Sequence, residues 1–263
     1  MSDEKKLKVL VFIVAYNAEK TITSVLDRIP KYLSLEYQVE VLIIDDCSSD
    51  DTFERANKRI QAGYWCDVTV LRNPVNQGYG GNQKIGYRFA IRKGCDVVAL
   101  LHGDGQYAPE SLPELLAPFA ESSPPAAVFG SRMMNKRSAL QGGMPLYKYL
   151  ANRFLTTIEN LVLGQNHSEY HTGFRAYHKR VLVKLPFHAF SDDFVFDQEI
   201  LISAVYAGFR IGEIPVPTRY FPEASQINFV RSVKYGLETL LVVLKYVFAS
   251  TDMYRSKIFP AQT

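Results

Sequence analysis

Short aliphatic and β-branched runs, each followed by a stretch of helical spacing, are the feature that most constrains this chain. KVLVFIVAY reads as a buried strand, and NAEKTITSVLDRIPKYL after it has helical periodicity. EVLIID repeats the strand signal. SSDDTFERANKRI opens a helix with Ser48 or Ser49 as N-cap and acids in its first turn. VTVLRN is a third strand, and GGNQKIGYRFAIRKG a helix closed by Gly94. CDVVALLH, the helical PESLPELLAPFAES (starting near Pro109) and AAVFGSR continue the alternation. Strands that alternate with helices need right-handed crossovers. The pattern therefore predicts an α/β fold, a mostly parallel sheet sandwiched by helices.

The second half is less regular. Residues 144–164 read as a long helix ended by glycine, EYHTGFRAYHKRVL as a short strand or turn, and FDQEILISAVYAG as a helix. FRIGEIPVPTRY is a strand whose prolines place it at a sheet edge. A final helix covers about residues 227–248. Without repeats, low-complexity tracts or linkers, the chain reads as one domain over residues 1–222. A C-terminal amphipathic helical extension, residues 223–263, faces a membrane or a partner.

Bulk properties exclude several function classes. A net charge of +3 over 263 residues is too small and too dispersed for nucleic-acid binding, though it suits phosphates or an anionic membrane face. Cys47, Cys66 and Cys95 are odd in number and lack metal-binding spacing, which fits a reducing cytoplasm. The N-terminus has no signal-peptide block. No run reaches the ~18 apolar residues of a membrane span, so the expectation is a soluble chain.

Ligands of open α/β sheets sit beyond the carboxyl ends of the strands. The polar residues ending the apolar runs are therefore informative together: Tyr16-Asn17, Asp45-Asp46, His102-Gly103-Asp104 and Ser131-Arg132. Singly, each has a plainer reading, such as a strand-end aspartate capping a helix. As a set they predict one rim of acids, a base and amide groups. The glycine-rich NQGYGGNQ has Gln83 where a dinucleotide fingerprint needs glycine, and it follows the third strand instead of the first. That argues against a dinucleotide dehydrogenase. A turn entering a helix and direct ligand contact both stay open for this loop.

The ordered set VAYNAEK, IIDDCSSDDT, NQGYGGNQ, HGDGQYAPE, GSR, EYHTGFRAY and FDQEI…GFRIGEIPV resembles the family 2 glycosyltransferases of the GT-A fold. The nearest branch by motif is the polyprenyl-phosphate sugar transferases, similar to dolichol-phosphate-mannose synthase. The resemblance implies a Rossmann-like domain that moves a sugar, with inversion, from a UDP- or GDP-sugar to an acceptor, foremost a polyprenyl phosphate. It implies a nucleotide site at Val14, Ala15, Tyr16, Asn17, Asp46 and Gly103, with Val14 standing where the family usually has proline. The family's DxDxQ motif reads His102-Gly103-Asp104-Gly105-Gln106, which implies Mg²⁺ or Mn²⁺ at Asp104 and Gln106, with His102 replacing an acid. Arg132, Arg175 and Arg219 match its phosphate- and acceptor-binding positions, and arginine suits phosphate oxygens. Glu169 matches its acid before SGFR and is the candidate catalytic carboxylate alongside Asp104, Arg132 and Arg175. Asp197 and Glu199 are secondary candidates, and His171 is left unassigned.

Two stretches could face lipid: residues 144–164 and 227–248, each apolar with aromatics and flanking Lys148, Arg153, Arg231, Lys234 and Lys245. Packing into the core or into a homo-oligomer are the alternatives. A lipid acceptor would bring the chain to the cytoplasmic membrane face peripherally. Alternative functions are the same chemistry on a saccharide hydroxyl, a nucleotidyltransferase, and an inactive nucleotide-sugar binding module.

Overall fold

The computed structural model describes residues 6–135, 138–217, 229–251 and 256–259. The predicted alternation is present: β1 (Lys8–Ala15), α1 (Ile22–Asp27), α2 (Leu33–Glu36), β2 (Gln38–Asp45), α3 (Thr52–Gln61), β3 (Asp67–Arg72) and α4 (Tyr79–Arg92). β4 (Val97–His102), α5 (Leu112–Leu116), β5 (Ala127–Ser131), α6 (Ser138–Gln141) and α7 (Leu146–Leu163) follow. The chain continues with β6 (Arg175–His178), α8 (Lys179–Lys184), α9 (Phe196–Tyr206), β7 (Ile211–Pro215) and α10 (Phe229–Ser250).

The seven strands form one sheet in the order β3-β2-β1-β4-β6-β5-β7. All neighbours are parallel except β6, which runs antiparallel to both β4 and β5. Alternate residues of the central strands feed two cores. Leu10, Phe12, Leu42 and Leu100 face the layer of α4, α9 and α10, whereas Val9, Val11, Ile43 and Leu101 face that of α1 and α5. Proline-bearing β7 lies at the edge, as its sequence requires.

Three local expectations need correction. NAEKTITSVLDRIPKYL holds one short helix, α1, and α2 begins only at its last residue, Leu33, after Pro30, which lacks an amide donor. PESLPELLAPFAES is a single turn and a half of α-helix between two 3₁₀ segments, because Pro113 and Pro118 recur inside it. Neither Ser48 nor Ser49 caps α3, whose N-cap is Asp51 without a side-chain bond. Ser48 Oγ instead donates to Asp45 Oδ1 and accepts the Asn17 amide at 2.8 Å.

α10 packs against the rest of the described chain. Thr239, Val242, Val243 and Ala249 are buried, and the helix packs on α9 and α7. Residues 218–228, which span the 222/223 boundary and include Arg219, lie outside the described residues.

The glycine-rich first turn of α4 packs tightly against residues 191–196. A Cβ at Gly80 would lie 2.5 Å from Ser191 O and 2.7 Å from Phe196 Cβ, and its amide donates to Asp192 O at 2.8 Å. Gly80→Ala should therefore destabilise by about 1–3 kcal/mol through overpacking, read as a lower denaturant midpoint at constant m-value.

Candidate active site

The carboxyl ends of β1, β2, β4 and β5 open into a cleft of about 640 Å³. Val14, Ala15, Tyr16, Asp46, Gly103, Asp104, Gln106, His102 and Arg132 all line it, so most of the sequence-predicted rim is gathered in one place. Tyr16 is half exposed at the mouth. Asp46 is buried, its Oδ1 accepting from Asn73 Nδ2 at 2.7 Å and Gln77 N at 2.9 Å. Asn17 is not among the lining residues. With φ +49° it staples two strand-end loops, its Oδ1 accepting the Ser49 amide at 3.0 Å.

Asp104 follows β4 at the centre of the rim, and its Oδ1 accepts the Gln106 amide at 3.0 Å. Among the described residues no three His, Cys, Asp or Glu side chains converge as a metal cage. A strand-end carboxylate facing a pyrophosphate-sized cleft nonetheless fits a hard divalent ion, which takes its other oxygens from phosphates and water. His102 is built into the wall. Its Nε2 lies 3.2 Å from Tyr79 Oη, its ring stacks edgewise on Tyr79 and Tyr107, and Gly173 leaves it room. Burial, opposed by the Asp104 charge, pushes its pKa down.

Two predicted residues point elsewhere. Arg175, expected to bind phosphate, is fully buried and absent from the cleft. It donates to Asp197 O at 2.7 Å and Tyr170 O at 2.8 Å, and stacks 4.7 Å over the Phe129 ring. It ties β6 to α9, which is why a charged side chain is tolerated there. Glu169, expected as the catalytic carboxylate, is also fully buried and does not line the cleft. Its Oε2 accepts the Arg132 amide at 2.7 Å, and its Oε1 accepts Arg132 Nε at 2.8 Å and Asn152 Nδ2 at 2.7 Å. It holds Arg132, whose side chain lines the cleft. Of the secondary candidates, Asp197 lines the wall, accepting from Tyr79 Oη at 3.0 Å and Gln83 Nε2 at 3.1 Å. Glu199 does not; it accepts the Ser191 amide, and burial pushes its pKa up.

The sequence reading placed Lys148, Arg231 and Lys234 on helices that could face lipid or pack inward, and all three line the cleft with Arg132. Burial, then the neighbouring Arg132 charge, lowers the Lys148 pKa. Lys234 pairs with Asp193 at 2.7 Å. The cleft thus has Asp104 after β4, Arg132 after β5, and three further cations on α7 and α10.

α7 is amphipathic in the inverted sense. Its polar Asn152, Thr156 and Glu159 are buried, whereas Leu146, Leu150, Phe154 and Leu161 are 58–79 % exposed. α10 likewise exposes Val230, Val233, Leu237, Leu241, Leu244 and Phe248 at helical spacing. No helix among the described residues is long and apolar enough to cross a membrane.

The family model for glycosyl transferase family 2 matches residues 10–185, which includes the strand-end rim from β1 through β6. The chain belongs to that family. It is a glycosyltransferase with the nucleotide-sugar-transferase fold, as the motifs led us to expect. Among similar curated proteins is the UDP-N-acetylglucosamine–dolichyl-phosphate N-acetylglucosaminyltransferase of Methanococcus voltae. It is 28 % identical over 81 % of this chain and 86 % of the relative. The undecaprenyl-phosphate mannosyltransferase of Micrococcus luteus is 27 % identical over 80 % of this chain and 83 % of the relative. Among solved structures, the glucosyl-3-phosphoglycerate synthase of Mycobacterium tuberculosis superposes with a TM-score of 0.69. That pair is 19 % identical over 91 % of this chain and 79 % of the synthase, which was crystallised with Mn²⁺, UDP-glucose and phosphoglyceric acid. The likeness extends the GT-A fold to this family 2 member.

Proposed function

We propose that this family 2 transferase moves a sugar from a nucleoside-diphosphate sugar to a polyprenyl phosphate at an anionic, cytoplasm-facing membrane surface. The observation that carries the reading is the cleft's position. Its cationic wall is built from α7 and α10, whose opposite faces are exposed and apolar. A soluble saccharide acceptor gives no reason for such faces, whereas a lipid tail lying on them would deliver its phosphate to the cations. The named substrates of the two curated relatives support the same class.

In this reading Tyr16 and Asp46 hold the nucleoside end, and Arg132 and Lys148 with Arg231 and Lys234 hold phosphate oxygens. Asp104, braced by the Gln106 amide, would hold Mg²⁺ or Mn²⁺, which when bound supplies positive charge against the departing diphosphate. The acceptor oxygen attacks the anomeric carbon from the face opposite the leaving group and inverts it, with no covalent enzyme intermediate.

The test supplies labelled UDP- and GDP-sugars with Mn²⁺, offering undecaprenyl phosphate in vesicles of mixed zwitterionic and anionic lipid. Label should pass to lipid. The protein should sediment with those vesicles, and Leu150→Glu with Phe154→Glu should release it while leaving donor hydrolysis in detergent unchanged. Transfer to a saccharide hydroxyl but never to lipid phosphate would refute the proposal.

A further inference from the structure

Set into the cleft wall is a polar array that sugar transfer as described does not use, and two of its members, His171 and Tyr235, line the cleft. Glu159 of α7 is 1 % exposed, and neither of its carboxylate oxygens accepts a hydrogen bond from the described residues. His171 Nε2 lies 3.0 Å from Glu159 Oε2, within ion-pair distance though off the hydrogen-bond axis. The other ring nitrogen, Nδ1, lies 3.0 Å from Tyr235 Oη and 3.0 Å from Gln198 Nε2. Gln198 Nε2 is in turn 2.7 Å from Tyr235 Oη and 3.1 Å from the Tyr170 carbonyl oxygen.

One carbonyl orients the whole array. A carbonyl can only accept, so the Gln198 atom facing Tyr170 is the amide nitrogen. One of its hydrogens goes to that carbonyl and the other to Tyr235 Oη. The phenol oxygen is then an acceptor toward Gln198, and in the tautomer with the ring proton on Nε2 its own proton turns to His171 Nδ1, 3.0 Å away. An accepting Nδ1 leaves the ring proton on Nε2, facing Glu159. In that tautomer Tyr235 donates to His171, whose Nε2–H lies within ion-pair distance of Glu159. Burial pushes the Tyr235 phenol well up, so it stays neutral.

Tyr235 also lines the cleft, on the same helix as Arg231 and Lys234. Those cations suit phosphate. A neutral phenol oxygen whose proton is committed inward can only accept from the cleft side, and the group it suits is a hydroxyl. We propose that Tyr235 reads a hydroxyl of the transferred sugar, and that Glu159, His171 and Gln198 are positioning residues that hold it in this acceptor-only state. The inference rests on the nucleotide-sugar reading above.

The test compares wild type, Tyr235→Phe, Glu159→Gln and the double variant. Each is titrated with Mn²⁺ plus UDP-N-acetylglucosamine or GDP-mannose, and with UDP or GDP as the sugar-free controls. Tyr235→Phe keeps the ring. It should weaken whichever nucleotide sugar the wild type binds by roughly 3–10-fold, one lost hydrogen bond, with the bare diphosphate unchanged. Glu159→Gln should weaken it less, and should add nothing in the Tyr235→Phe background because it acts through that phenol. Independently, ¹⁵N long-range correlation spectra, with His171 assigned through His171→Gln, should show the Nε2–H tautomer. Equal binding by Tyr235→Phe, additive losses, or a proton on Nδ1 would overturn the inference alone. So would a wild type that binds nucleotide sugar no more tightly than diphosphate. A wild type that binds neither nucleotide sugar nor diphosphate would bring down the transferase reading with it.

Discussion

Asp104→Asn is expected to cut sugar transfer by roughly 10²–10³-fold, the usual cost of removing one group that stabilises charge on a leaving oxyanion. Asparagine has the same shape and an oxygen that can still accept the Gln106 amide, so the turn after β4 should persist. What it lacks is charge. Of the acids lining the cleft, Asp46 is held by Asn73 and Gln77, Asp197 by Tyr79 and Gln83, and Asp193 and Glu238 by Lys234. None sits within a group of three metal-ligating side chains among the described residues. Asp104, just after β4, stands at the position where the family motif implies the metal-binding carboxylate. Two measurements check this. Turnover should collapse, and the Mn²⁺-dependent rise in melting temperature given by a nucleotide sugar should shrink, with the ligand-free melting temperature unmoved. Full turnover in the variant would remove Asp104 from the chemistry.

The parallel half of the fold was legible because a strand buried on both faces must be apolar nearly throughout, and runs such as KVLVFIVA and QVEVLIID admit little else. The rim was legible for a related reason. A polar residue that ends such a run stands at the mouth of the sheet, and Asp46, Asp104 and Arg132 all do so. The antiparallel β6 was readable only as a short strand or turn. Four residues between two neighbours carry too little periodicity to announce a direction.

Charge was the weaker guide. Arginine and glutamate are mostly exposed, so Arg175 and Glu169 were natural choices for groups that meet a ligand. Their burial depends on carbonyls and a partner guanidinium that only the folded chain assembles. The cleft cations had a usable signal that pattern reading passed over. Arg231, Lys234, Tyr235 and Glu238 fall at helical spacing on one stripe of α10, and Lys148, Asn152, Thr156 and Glu159 do so on α7. On α7 most of this stripe is buried and on α10 it faces the cleft, whereas the outer faces of both helices are apolar.

Glu169→Gln should cost about 3–5 kcal/mol, because removing one partner of a buried ion pair strands the other charge. For a chain this size that is roughly 6–20 °C in melting temperature. The amide would also bring N–H groups against the Arg132 and Asn152 donors that the carboxylate now accepts. Burial by itself would raise the Glu169 pKa, but the Arg132 guanidinium and its hydrogen bonds outweigh burial and hold it below the usual 4.5. A depressed folded-state pKa means that the stabilisation is complete above the unfolded value and lost as pH falls through the folded one. The stability gap between wild type and Glu169→Gln should accordingly be flat from neutral pH down to about 5 and close below about 4.5. Paired denaturant titrations across that range would measure it. A general base predicts the opposite pattern: activity lost, stability kept, and an acid limb in the rate profile of the wild type alone. The geometry favours the ion pair, since both Glu169 oxygens are taken up by Arg132 and Asn152 and neither faces the cleft. An acceptor that needed deprotonation would find no help from this carboxylate. A phosphate oxygen, already ionised, needs none, so stability loss in Glu169→Gln together with transfer to lipid phosphate would form one consistent result.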